Sequence, residues 1–159
     1  MKRKFLSHGL KVIMFLFIIL AILSATLILP TAVREITTDF PEYLVQMQHI
    51  LIICQALLGL FILGLIIIIY LLIQFDFNKV YSNNFLKWLK VIVAMCLTAC
   101  LGLVYLIHYF YSMGGAGFFI LFAIIVTILL ILTVMGVTLL FSSIISDTIK
   151  YKEDVDLTI

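Results

Sequence analysis

The sequence predicts an all-α integral membrane protein, an antiparallel bundle of four transmembrane helices built as two helical hairpins. Three observations predict it. Of 159 residues, 65% are hydrophobic and 11% charged, where a soluble domain carries about 25% charged residues, and the mean hydropathy is +1.33. Four apolar runs, 10–29, 50–73, 91–110 and 117–141, each hold the roughly 20 residues that a helix needs to cross about 30 Å of hydrocarbon. Apart from Lys11 and His108, their ionisable side chains are cysteines and tyrosines. Finally, Lys2, Arg3, Lys4, Lys11, Lys79, Lys87, Lys90, Lys150 and Lys152 all fall on one side of a four-span topology, which leaves Arg34 alone on the other. Lys and Arg accumulate in cytoplasmic loops, so both termini are expected to be cytoplasmic.

Taken in order, the first run follows a basic start and resembles a secretory signal. It continues for some 20 residues to Pro30, beyond the roughly 7–15 of a signal core, and is therefore expected as a retained span. Ala21, Ser24 and Ala25 give it a small-residue patch for a neighbouring helix. Between the first two spans, Val33, Ile36, Phe40, Tyr43 and Leu44 recur at helical intervals among Arg34, Glu35, Asp39 and Glu42. That pattern predicts a short amphipathic piece lying on the membrane surface, either a solvated connector or a sensing segment. In the second span Gln55 stands near the outer end, to be satisfied by water and headgroups or to meet a ligand. Gly59 and Gly64 there admit a close neighbour.

Residues 74–90 form the expected cytoplasmic loop. Asp76, Asn78, Ser82, Asn83 and Asn84 are turn and capping types, and one of Ser82 to Asn84 is expected to cap a helix beginning near Phe85. Trp88, Lys87 and Lys90 suit the inner headgroup level. In the third span Ala94, Thr98 and Gly102 recur every four residues, a stripe for helix packing in a solvent that provides no hydrophobic drive between helices. His108 to Tyr111 make an aromatic belt, and Ser112 to Gly117 a tight, glycine-rich reversal. The fourth span carries Thr127, Thr133 and Thr138, and its helix is expected to run on to about Ile149. In the cytoplasmic tail, 146–159, the alternation of Val155, Leu157 and Ile159 is a strand period. It fits either addition to a partner's sheet edge or a frayed terminus.

Catalytic constellations are missing from this sequence: no paired carboxylates, phosphate-cradling glycines, nucleophile elbow or zinc-ligand spacing occur. No enzymatic activity and no cofactor are expected. Cys54, Cys96 and Cys100 lie within spans, which excludes an extracellular disulfide framework. Cys96 and Cys100 share a helix face, as packing residues or as a soft-metal or redox pair. His49 and His108, with Asp39 and Glu42, are either interfacial residues or a transition-metal set. Mid-span Asp, Glu, Lys and Arg are absent, which argues against an ion-coupled carrier. A hydrophobic solute or a channel of several copies stays open.

Two passages resemble a known family. Asn78 to Ile92, reading Asn-Lys-Val-Tyr-Ser-Asn-Asn-Phe-Leu-Lys-Trp-Leu-Lys-Val-Ile, is similar to the loop and helix start of small bacterial membrane proteins grouped as domain of unknown function 2975. Lys152 to Ile159 resembles that family's acidic tail, with one departure: the usual Glu-Asn-Asp-Leu-Thr has an extra residue between its acids here, Glu153-Asp-Val-Asp-Leu-Thr158. Chain length and span number agree as well. The resemblance implies a protein of the bacterial cytoplasmic (inner) membrane without established catalysis, often encoded beside a helix-turn-helix regulator of the Cro/repressor type. Beyond the lipid bilayer, the implied partner is that cytosolic regulator, with no direct contact to nucleic acid; assembly of several copies is left open. The residues that would dock it are Asn78, Tyr81, Ser82, Asn84 and Lys87 from the loop and Glu153, Asp156, Leu157, Thr158 and Ile159 from the tail. The alternative is a subunit of a small exporter or channel for an apolar compound.

Overall fold

The computed structural model describes residues 2–77, 82–112, 114 and 117–156, with side chains described for 7–77, 82–112, 114 and 117–151. Its order is α1 (Lys2–Leu23), a π-helical turn (Ser24–Ile28), α2 (Leu29–Asp39), a 3-10 turn (Pro41–Tyr43), α3 (Leu44–Asp76), α4 (Asn83–Ser112) and α5 (Phe118–Asp156). Four helical stretches are long and apolar enough to cross a membrane. The chain is an all-α, multi-pass membrane protein, and no strand occurs among its described residues. Large apolar side chains point outward along every span, Val12, Ile52, Leu101 and Leu140 among them. In water such a surface would aggregate; in a bilayer, lipid tails cover it.

Neighbours in the chain are neighbours in space and run antiparallel. Contacts from Ser7 and Lys11 to Asp76 at one end, and from Gln55 to Ala25 further along, fix α1 against α3. Two apolar clusters join α3, α4 and α5. At the end that carries most basic residues, called the basic end below, Leu71, Phe85, Leu89, Ile92 and Ile145 are buried together, with Trp88 and Ile149 against them. At the opposite end Ile50, Leu106 and Ile124 form the second cluster. Tyr70 and Trp88 meet edge-on at 5.5 Å across α3 and α4. Among the described residues, α1 packs on α3 but not on α4 or α5, and α5 packs chiefly on α4, meeting α3 only through the side chains of the two clusters. The four helices thus make an antiparallel bundle in which each packs mainly on its neighbours in the chain.

Three expectations need correction. Pro30 does not end the first helix: it occupies the first turn of α2, where a missing N–H is tolerated, and the π-turn before it absorbs the mismatch. The segment after it does not lie flat. Instead α2 continues the helix, leans on α3 with Val33 and Thr37 half-buried, and reverses only at Phe40 to Tyr43. Last, the strand period of the tail does not govern its described part, since α5 stays helical through Asp156. Ile145 and Ile149, four apart on one face, carry the helix past the membrane, and three alternating apolar residues offer no competing partner strand.

The loop between α4 and α5 turns through Gly114, whose N–H bonds to the Tyr111 carbonyl at 3.3 Å and whose φ of +101° suits glycine. Met113, Gly115 and Ala116 of that reversal lie outside the described residues.

Candidate functional site

The basic end gathers most of the polar chemistry. Asp76 closes α3, three residues beyond the apolar run that ends at Ile73. A carboxylate at a helix C-terminus meets the negative end of the helix dipole, so it needs a compensating donor. Two come from α1: Lys11 Nζ donates to Asp76 Oδ2 at 2.5 Å, and Ser7 Oγ donates to the same oxygen at 2.9 Å. Ser7 is buried to 6% exposure, while the ion pair itself is partly exposed. Sequence reasoning named Lys11 and Asp76 separately and passed over Ser7. The signal was present, for a lone Lys and a lone Asp intrude near the same end of two adjacent apolar runs.

Hydrogen bonds from Lys11 and then Ser7 hold the Asp76 carboxyl below its ordinary value of 3.8. A carboxylate whose folded pKa is depressed stabilises the fold above its unfolded pKa and loses that contribution as pH falls through the folded value. The thermal-midpoint difference in detergent between the natural chain and Asp76→Asn is therefore expected to stay constant from about pH 5 to 8 and to shrink only below about 3.8. A difference that collapses near pH 6 would show that this carboxylate is not the titrating group.

Just past this clamp, Ser82 opens α4: its Oγ accepts the Phe85 N–H at 3.2 Å, the geometry of an N-cap. Of the three capping candidates, the structure thus selects Ser82. Asn84 and Lys87 are exposed on the first turns, and Lys90 follows them. Phe85 and Leu89 face inward, into the cluster that holds Ile145 of α5 and has Ile149 against it. The α5 extension is thereby seated beside the exposed start of α4. Glu153 and Asp156 belong to the last turns of α5, whereas Asn78, Tyr81, Leu157, Thr158 and Ile159 lie outside the described residues.

The stripe Ala94, Thr98 and Gly102 divides. Gly102 meets Leu57 of α3, while Ala94 and Thr98 are exposed and the Thr98 hydroxyl donates to the Ala94 carbonyl at 3.0 Å. A four-residue repeat on a helix of 3.6 residues per turn drifts by about 40° at each step, so three members do not address one neighbour. Only the last reaches α3.

In mid-span, where α5 stands away from α3, an apolar cleft of about 550 Å³ opens. Leu57, Phe61 and Gly64 line it from α3, Met95 and Ala99 from α4, and Leu130 from α5. Thr127 borders it too, with its hydroxyl proton already donated to the Ala123 carbonyl at 2.8 Å. The two apolar clusters close the cleft towards both ends.

The remaining candidates are placed apart. Gln55 turns inward, and its Nε2 donates to the Ala25 carbonyl at 3.0 Å. His49 directs Nδ1 at the Val45 carbonyl, 2.9 Å away, and rests on Tyr109, while His108, Asp39 and Glu42 are exposed. Among the described residues no three His, Cys, Asp or Glu side chains come together as a metal set. The three cysteines are free thiols, and Cys96 borders the cleft.

No family model, curated protein or solved structure matches this chain.

Proposed function

We propose that this chain is a non-enzymatic regulator in the cytoplasmic membrane of a bacterium, holding a cytosolic protein against its basic end. The observation that supports this reading is that Ile145 and Ile149 share one apolar cluster with Phe85 and Leu89, which ties the α5 extension to the first turns of α4, where Ser82, Asn84 and Lys87 stand. On this reading the loop and the tail, far apart in sequence, act as one surface. The positive-inside bias puts that surface in the cytosol, and the resemblance to domain of unknown function 2975 names the partner class, a helix-turn-helix regulator of the Cro/repressor type. The exposed start of α4 suits a protein partner better than a lipid, since it combines uncharged Asn84 with Lys87 and turns its apolar side inward.

The test is co-purification in detergent with helix-turn-helix proteins of the Cro/repressor type from the same genome. Removing residues 152–159, or replacing Asn84 and Lys87 by Ala and Glu, is expected to weaken the complex, and both together to abolish it. Undiminished binding after both changes refutes the reading. Reporter fusions at Asn83 and at the C-terminus check the orientation independently.

The cleft favours a second reading, binding or export of an apolar compound. Its volume falls among those of small-molecule sites, about 300–1,000 Å³, and its lining offers shape without directional polar groups. Ala99→Phe, which fills it from α4, is expected to reduce uptake of a lipophilic fluorescent probe by vesicles containing the protein. Equal uptake and equal flux with and without that substitution dispose of this alternative.

A further inference from the structure

The first span is interrupted at one place. From Ser24 to Ile28 the helix widens to a π-turn, with the Leu29 N–H bonded to the Ser24 carbonyl five residues back, while both flanks keep right-handed helical torsions. The next bond of that kind would run from residue 30 to the Ala25 carbonyl, but residue 30 is proline and has no N–H. In hydrocarbon an unserved carbonyl is costly, because no water replaces the lost donor. Thr26 donates to the Ile22 carbonyl at 2.8 Å, and Thr31 to those of Leu27 and Ile28 at 2.7 and 2.9 Å, the same bonds within their own helix that Thr98, Thr127 and Thr133 make elsewhere. Ala25 differs, for its donor is Gln55 on α3, thirty residues away.

We infer that Ser24–Pro30 and Gln55 form a latched hinge, in which the Gln55 amide stands in for the N–H that Pro30 lacks and fixes the tilt of α2. Below the hinge α1 is pinned separately, by buried Ala21 and by the Ser7 and Lys11 bonds to Asp76. Above it α2 leans on α3 through half-buried Val33 and Thr37 and exposes Arg34, Glu35 and Asp39. Opening the latch therefore swings the charged tip of the first hairpin and leaves the basic end in place. Gln55 is a positioning residue, and the device is independent of any docking partner.

The hinge is tested with nitroxide pairs in a chain whose three cysteines are replaced by Ala. Labels at Thr38 and Ser112 report the tip of α2 against the end of α4; labels at Leu10 and Asn84 report the basic end. Gln55→Leu is expected to broaden the first distance distribution, with a roughly three- to tenfold shift from closed to open, and to leave the second unchanged. Restoring the N–H by Pro30→Ala in the same chain should narrow the first distribution again. Gln55→Asn keeps the amide and shortens its reach, so it should broaden the first pair even if the Leu variant fails to fold. Unchanged Thr38–Ser112 distances in Gln55→Leu or Gln55→Asn, or no recovery with Pro30→Ala, overturn the inference.

Discussion

Replacing Ile145 by Ala is expected to destabilise the protein by about 2–4 kcal/mol and to free the α5 extension from α4. Ile145 is the most buried apolar side chain described, 4% exposed, and sits among Leu71, Phe85, Leu89 and Ile92. Its position along the helix matters as much as its burial. In mid-span an apolar side chain that leaves the protein is received by lipid, so its removal forfeits packing alone. Ile145 lies four residues past the apolar run that ends at Phe141, where water and headgroups compete, and there burial retains its hydrophobic drive. The neighbouring Ile144, 64% exposed, supplies the control: Ile144→Ala is expected within about 0.5 kcal/mol of the natural chain. Unfolding by SDS titration in mixed micelles measures both variants. Trypsin cleavage after exposed Lys150 should accelerate in Ile145→Ala alone. Equal costs for the two isoleucines would mean that the extension is not seated on α4, and the proposed docking surface would lose its geometric basis.

The membrane class was legible because composition and run length act directly: a helix long and apolar enough to span satisfies its own backbone, and no tertiary contact is needed to say so. Features that depend on one helix meeting another were not legible. Gln55 looked like a polar residue near an interface, yet its partner is a carbonyl displaced by a proline in another span. Pro30 looked like a terminator because a sequence does not reveal whether a π-turn precedes it. The stripe of Ala94, Thr98 and Gly102 suggested one shared face, but its drift around the helix left two members outside. The helical state of Tyr151 to Asp156 was hidden for a similar reason, since the anchor that extends α5 is the contact of Ile145 and Ile149 with the start of α4. Capping chemistry narrowed the start of α4 to Ser82, Asn83 or Asn84, and only the bond from the Phe85 N–H to Ser82 Oγ selects among them.

At Gly102 two substitutions are expected to separate sharply. A Cβ there would stand 2.8 Å from Leu57 Cδ2, closer than real side chains tolerate, and at an ordinary contact distance of 3.6 Å from its Cγ. The clashing atom is the far end of a side chain, and Leu57 also lines the mid-span cleft, so it has free space into which to turn. Gly102→Ala should thus cost less than about 1 kcal/mol, helped by the better helix propensity of alanine. Gly102→Leu demands more room than one rotamer change yields, because its branched end extends into α3 itself. Overpacking of that kind costs typically 1–3 kcal/mol and here forces α3 and α4 apart. The same separation widens the cleft, whose walls are those two helices and α5. SDS titration gives the energies, and uptake of a lipophilic probe reports the cleft. If Gly102→Ala proves as damaging as Gly102→Leu, Leu57 has no freedom to move, and the space beside it is filled in the bilayer.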